Sequence, residues 1–208
     1  LNPNDLATAS AFEKNPDVVW GWYESRRNMV LNCQPNSAHY AIAKMQEKTK
    51  VTVITQNVDG LHERSGSRDV IRLHGSLHEP RCFSCGKPHN EPLVVSESVN
   101  GEPMIPPKCM YCGCNIRPGV VWFNESLSID SWKKAEDAIF DCDILFSIGT
   151  SSVVYPAAVL PFEASKNGAT VIQVNMQSTD LDEVANFNFV GKAGEIIPQL
   201  YQTVWGQL

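Results

Sequence analysis

Apolar positions along this chain follow two rhythms. Through residues 1–48 they recur every three or four positions, which predicts helices. The run "PDVVWGWYESRRNMV" gathers Val19, Trp22, Tyr23, Arg26 and Val30 on one helical face, with Asn15 as N-cap and Pro16 in the first turn. "PNSAHYAIAKMQEK" starts on a second cap, Asn36, and spaces Ala38, Ala41, Ile42 and Met45 helically. From residue 51 the rhythm changes to short β-branched runs: "VTVIT" (51–55), "GVVWF" (119–123), "DILFSIGT" (143–150) and "ATVIQVN" (169–175). Unbroken Val/Ile runs suit strands covered on both faces, as in a parallel sheet. Helical stretches at 131–141 and 156–168, the latter with Gly168 as C-cap, supply the crossovers of a doubly wound α/β fold. Ligands of such sheets bind beyond the carboxyl ends of the strands. The polar tails "TQNVDG", "GTSS" and the closing Asn175 fall there.

Residues 76–118 break the rhythm, being rich in Pro, Cys, Gly and Glu. They are expected to form a small module inserted in a domain made of residues 1–75 and 119–208. Within it, Cys82-x2-Cys85 and Cys109-x2-Cys112 offer two close thiolate pairs, the donor set of tetrahedral zinc. Four thiolates close the coordination sphere, so the zinc is expected to be structural. Cys114 is a fifth candidate, but C-x-C fits the turn less well than Cys112.

Composition narrows the partners. The net charge of -6 argues against a generic nucleic-acid or acidic-membrane binder. No apolar run approaches the roughly 18 residues that span a bilayer. Seven cysteines, an odd number without a secretory signal pattern, suit a reducing compartment. One charge stands out: Arg26 puts a permanent cation into the apolar stripe of its helix. Arg27 beside it reads as a surface charge that can pair with Glu24.

Thr55-Gln56-Asn57-Val58-Asp59 places four polar side chains at a strand end, as a small-molecule site needs. A hydrogen-bonded turn at Gly60 explains them equally. His74, after the short run "VIRL", suits a general base, although a histidine after a strand is more often a structural donor. "SIGTSS" (147–152) is a small turn that can receive phosphate or ribose.

Together these stretches resemble the sirtuins, the NAD-dependent protein deacylases. "TQNVDGLHERSG", "LHGS", "CFSC…CMYC", "IRPGVVWF" and "IGTSSVVYPAA" occur in the family's order, and the likeness runs from about Asn4 to Pro198. It implies a Rossmann-like fold with an inserted zinc module, NAD as co-substrate and His74 as catalytic base. It implies Gln56, Asn57 and Asp59 at the nicotinamide and ribose end, Gly149, Thr150 and Ser151 at the dinucleotide, Asn175, Met176 and Gln177 at the adenine ribose, and Ala193 at the adenine wall. Val121, Phe123 and Glu125 match the run that pairs with an extended substrate peptide. Tyr23 and Arg26 match the Tyr-x-x-Arg pair of the desuccinylase and demalonylase branch, which implies a preference for succinyl or malonyl over acetyl. Acyl-lysine proteins or peptides are the implied partners, of a monomer without nucleic acid or membrane. The implied compartment is the bacterial cytoplasm, or the mitochondrial matrix in a eukaryote.

Two departures qualify the resemblance. The family's opening strand, "GAG-x-S" phosphate loop and "P-x-F-R" segment have no counterpart before "NDLATASAF", so the 208 residues as given are expected to be an inactive fragment of a longer, active protein. Asn124 stands where the family has Gly in "FGE"; a side chain there either crowds the substrate backbone or demands positive φ from a residue that tolerates it better than most. The competing expectations are a mono-ADP-ribosyltransferase using the same NAD pocket and a truncated, non-catalytic acyl-lysine-binding module.

Overall fold

The computed structural model describes residues 3–91 and 101–207. Its helices are α1 (Pro3–Leu6), α2 (Ala9–Lys14), α3 (Pro16–Asn32), α4 (Ser37–Met45), α5 (Leu61–Arg64), α6 (Ile129–Phe140), α7 (Leu160–Lys166) and α8 (Ala193–Trp205). Its strands are β1 (Val53–Thr55), β2 (Val70–Arg72), β3 (Gly75–Cys82), β4 (Ile116–Val120), β5 (Ile144–Ile148), β6 (Thr170–Asn175) and β7 (Phe187–Val190). No described helix is long and apolar enough to cross a membrane. The chain divides into two compact units. The first comprises Leu1–Gln34, Asn57–Gly60 and His74–Leu127; the second comprises Pro35–Gln56, Leu61–Leu73 and Ser128–Leu208.

The second unit carries the parallel α/β architecture. β1 pairs with β2, and β5, β6 and β7 form a second sheet, all in parallel. The expected continuous Val/Ile strands are present at β1, β5 and β6. Among the described residues the parallel strands fall into two sheets of two and three strands. Asn36 caps α4 through a full capping box, accepting from the backbone N–H groups of Ala38 and His39. α7 ends on Asn167 as C-cap, and Gly168, at φ 95°, is the residue after it.

β7 and α8 are not anticipated by the periodicity above. Pro198 lies inside α8, where it removes the N–H that would bond Gly194 four residues back. The Ser37 hydroxyl, at the start of α4, donates to that Gly194 carbonyl instead. The proline is thus tolerated because its neighbour helix satisfies the orphaned acceptor. α4 and α8 bury Ala38, Ala41, Met45, Ile197 and Tyr201 with Val174 of β6.

The first unit packs α2 and α3 against an antiparallel pair, β3 with β4. "GVVWF" is therefore not a strand of the parallel sheet. The strand runs Ile116–Val120, and the apolar run continues past it because Val120 and Trp122 enter this unit's core beside Phe12, Val19 and Ile116. Gly119 is required there, since a Cβ would lie 1.8 Å from the Glu79 carbonyl oxygen.

α3 corrects the reading of its two arginines. Every residue from Val19 to Glu24 is buried, and so is Arg27. Residues 101–104 cross the helix at Gly21, where a Cβ would meet the Glu102 carbonyl oxygen at 1.8 Å, and the Met104 N–H donates to the Asp17 carbonyl at 2.9 Å. With a second side covered, the buried face is wider than a single stripe. Arg27, 7% exposed, makes a bidentate pair with Glu24, 5% exposed. Arg26 is partly exposed, its guanidinium 3.3 Å above the Trp22 ring centroid. The buried cation is Arg27, not Arg26.

Candidate functional site

The four cysteines of the first unit converge. The sulfurs of Cys82, Cys85, Cys109 and Cys112 all lie within 4.8 Å of one another, with Cys82–Cys112 at 3.4 Å and Cys85–Cys109 at 3.7 Å. A tetrahedron with bonds of about 2.3 Å has edges near 3.8 Å, so the set fits zinc. The two C-x2-C turns are copies of one design. The N–H of Gly86 donates to the Cys82 carbonyl at 3.1 Å, and that of Gly113 to the Cys109 carbonyl at 2.8 Å. Both glycines take left-handed backbone, φ 70° and 74°. The N–H of Cys82 reaches the Lys87 carbonyl, and that of Cys109 the Cys114 carbonyl, each at 2.8 Å. Cys114 thus occupies the closing position that Lys87 fills in the first turn, which explains why it is outside the ligand set. Metal analysis of the purified protein should find one zinc per chain. Its removal by a strong chelator should abolish near-UV dichroism, because such sites contribute about 10–16 kcal/mol to folding. Retention of that signal without metal would refute a structural zinc.

His74 sits between β2 and β3, partly buried. Its carbonyl accepts from the Val121 N–H at 2.9 Å, and Gly75 after it takes φ 74° against the Gly119 carbonyl, 2.2 Å from a built Cβ. The histidine and the 121–125 run are thereby held at a fixed backbone spacing. Asp59 and Val58 lie on β3 in the same unit. The Asp59 carbonyl accepts from the ring Nε2–H of His78 at 3.1 Å, and the Val58 carbonyl accepts from the Leu77 N–H at 3.0 Å. Asn57 is exposed beside them.

The 121–125 run uses three successive N–H groups internally. Val121 donates to His74, Trp122 to Glu125 Oε2 at 2.8 Å, and Phe123 to the Ala7 carbonyl at 2.9 Å. Phe123 is exposed. Glu125 also takes a bidentate pair from Arg117, at 2.5 and 2.9 Å. Burial alone would raise its carboxyl, but the Arg117 and Trp122 hydrogen bonds outweigh it and hold the group below the usual carboxylate range. Asn124 adopts φ 68°, the left-handed conformation that its place in the family's glycine position demands.

Tyr23, on α3, is 7% exposed, and burial pushes its hydroxyl pKa up to about 12. It packs edge-on against Trp22, ring centroids 4.7 Å apart, and Trp22 in turn carries Arg26. Among the described residues Arg26 makes no ion pair, whereas Arg27, Arg72 and Arg117 each hold a carboxylate.

In the second unit the turn after β5 is tied to the end of β6. The Gly149 N–H, at φ 62°, donates to the Val174 carbonyl at 2.9 Å, and Asn175 Nδ2 donates to the Thr150 carbonyl at 2.8 Å. Gln56 Nε2 reaches Thr150 Oγ1 at 3.5 Å. Ser151, Met176 and Gln177 are exposed at the same strand ends, and Ala193 opens α8, packed on the α4 cluster. Sequence reasoning passed over Ser152. Its backbone is left-handed, φ 58°, and its hydroxyl is buried without a partner among the described residues. Such a hydroxyl costs about 1–3 kcal/mol and marks a place where a ligand's polar group would be rewarded.

The profile of the Sir2 family matches residues 1–156. The chain belongs to the Sir2 family. An NAD-dependent protein deacylase of Methylococcus capsulatus is 50% identical over 96% of this chain and 79% of its own length. The NAD-dependent protein deacylase of Aquifex aeolicus is 44% identical over 97% of this chain and 82% of its own. A Sir2 homolog solved in complex with NAD superposes with a TM-score of 0.89 at 43% identity, covering 98% of this chain and 77% of that one. Sir2Tm bound to a propionylated peptide gives a TM-score of 0.85 at 29% identity, covering 98% of this chain and 85% of that one. The Rossmann-like α/β fold and the four-cysteine zinc-binding cluster are those of this family.

Proposed function

We propose that this chain is an NAD-dependent protein-lysine deacylase that prefers acidic acyl groups, succinyl or malonyl, over acetyl. The deacylase activity rests on the family and on its deacylase relatives. The acyl preference is carried by one observation: a guanidinium stacked on Trp22 beside the Tyr23 ring, with no carboxylate on it among the described residues. A succinyl or malonyl carboxylate supplies that partner, bidentate on Arg26 with a further hydrogen bond from Tyr23.

In this reading NAD is consumed as co-substrate. Gly149, Thr150, Ser151, Asn175, Met176, Gln177 and Ala193 bind the dinucleotide, and Gln56, Asn57 and Asp59 hold its nicotinamide-ribose end. The acyl oxygen attacks the ribose carbon as nicotinamide leaves. His74 then takes the proton of a ribose hydroxyl, which attacks the alkylated acyl carbon. Its spacing from Val121 fixes the base relative to the docked peptide. The N–H groups of 121, 122 and 123 are used internally, and the Trp122 carbonyl accepts from the Glu125 N–H at 3.1 Å, so the Val121 and Phe123 carbonyls are the groups offered to the peptide strand.

The test is a panel on the zinc-loaded, full-length protein: one peptide carrying acetyl-, malonyl- or succinyl-lysine, with NAD, followed by mass spectrometry. Free lysine should form in step with nicotinamide, with kcat/KM highest for the two acidic acyl groups. An acetyl preference would overturn the acyl assignment, and ADP-ribose appearing on protein in place of free lysine would make the chain a transferase.

A further inference from the structure

Tyr23 meets a residue that the acyl reading does not use. Trp122, 2% exposed, directs its indole Nε1–H at the Tyr23 hydroxyl oxygen, 3.0 Å away. The direction of that bond is unambiguous, because an indole nitrogen donates and never accepts. A phenol has one proton and two acceptor lone pairs. With one lone pair filled by the indole, the Tyr23 proton must point elsewhere. Among the described residues no other group accepts it. The phenol also stays protonated through any working pH, since burial raises its pKa to about 12.

The ring of Trp122 is locked on its other sides. The Arg117 guanidinium lies 3.5 Å from its centroid, and Phe12 packs at 5.4 Å, tilted. Glu125, which holds Arg117, also accepts the Trp122 backbone N–H at 2.8 Å. Neither the ring nor the backbone is free to turn the N–H away.

We propose that Trp122 is a positioning residue for acyl recognition: its indole N–H fixes the Tyr23 hydroxyl as a donor, so that Tyr23 selects an acyl group ending in an acceptor. A carboxylate satisfies that proton, and the hydrogen bond it receives is strengthened by the one the phenol already accepts. A methyl group leaves the proton unmet. This inference rests on the acidic-acyl reading of Tyr23 and Arg26, and the experiment separates the two.

Zinc-loaded wild type, Trp122→Phe, Tyr23→Phe and the double variant are compared by kcat/KM on succinyl- and acetyl-lysine forms of one peptide at saturating NAD. Trp122→Phe should lower the succinyl-to-acetyl ratio about three- to tenfold, the size of one net hydrogen bond. Tyr23→Phe should lower it at least as far, and the double variant should match Tyr23→Phe alone. A packing role for Trp122 would instead lower both substrates together, or lower the ratio equally in either background; both results overturn the inference. A ratio unmoved by Tyr23→Phe overturns the acyl reading and the inference with it. Should phenylalanine at 122 fail to fold, benzothienylalanine there keeps the fused ring and lacks only the N–H, and the same ratio decides. In the wild type the Trp122 indole proton should resonate downfield and shift in Tyr23→Phe; an unmoved resonance would refute the hydrogen bond itself.

Discussion

Alanine in place of His74 should reduce deacylation by about 10²- to 10⁴-fold, the range that a positioned general base contributes. The loss should fall on turnover with the fold retained, because two backbone contacts at this position survive the substitution. The His74 carbonyl carries the hydrogen bond from Val121, and Gly75 makes the close approach to Gly119. Neither depends on the imidazole. Steady-state deacylation and melting curves on the same preparations give the comparison. Undiminished turnover would remove His74 from the chemistry and leave it as a corner residue.

A second large effect is expected at Arg26. Arg26→Met keeps an apolar stem that can lie on Trp22 and deletes only the charged fork. Hydrogen bonds to a charged group contribute about 1.5–3 kcal/mol, so kcat/KM on succinyl and malonyl substrates should fall about ten- to a hundredfold more than on acetyl. Equal losses on all three would return Arg26 to a structural role on the Trp22 face. Charge and stem are separable here because Arg26 is partly exposed. At Arg27 they are not, since its removal would strand Glu24 as a buried, unpaired charge.

Much of this was legible in the sequence where chemistry is local. The Asn36 cap needs only residues 36–39. The two cysteine turns need only five residues each, C-F-S-C-G and C-M-Y-C-G, and the glycine after each pair signals the left-handed bend that both turns use. β1 and β6 announce themselves because a strand covered on both faces must be apolar throughout; β5 carries the same apolar run although Ile144 and Phe146 are exposed among the described residues. What failed depended on partners distant in sequence. "IRPGV" has no strand signature, yet becomes β4 because β3 and Glu79 accept its glycine. The helix of α8 contains a proline that only Ser37, far back in the chain, makes tolerable. Arg27 looks like a surface residue until the helix is seen to be buried on more than one side, with Glu24 buried beside it as its partner. At the candidate site, polar strand ends pointed to Thr150 and Asn175. Trp122 was passed over because alternation along its run drew attention to the neighbours on the opposite side, Val121, Phe123 and Glu125.

The crossing at Gly21 has a consequence for how the metal is captured. The two cysteine pairs are separated by residues 86–108, a spacer of 23 residues. A free spacer of that length would leave the second pair at a modest effective concentration relative to the first, because closing a loop costs entropy that grows with its length. Docking of Glu102 and Met104 on α3 shortens the problem. Once the helix and its backbone contact with Met104 have formed, only residues 105–108 remain between an anchored point and Cys109. Docking on the helix and binding of the ion therefore support one another: each keeps the second thiolate pair close to the first. A Cβ at Gly21 would obstruct the crossing, so Gly21→Ala should weaken zinc retention.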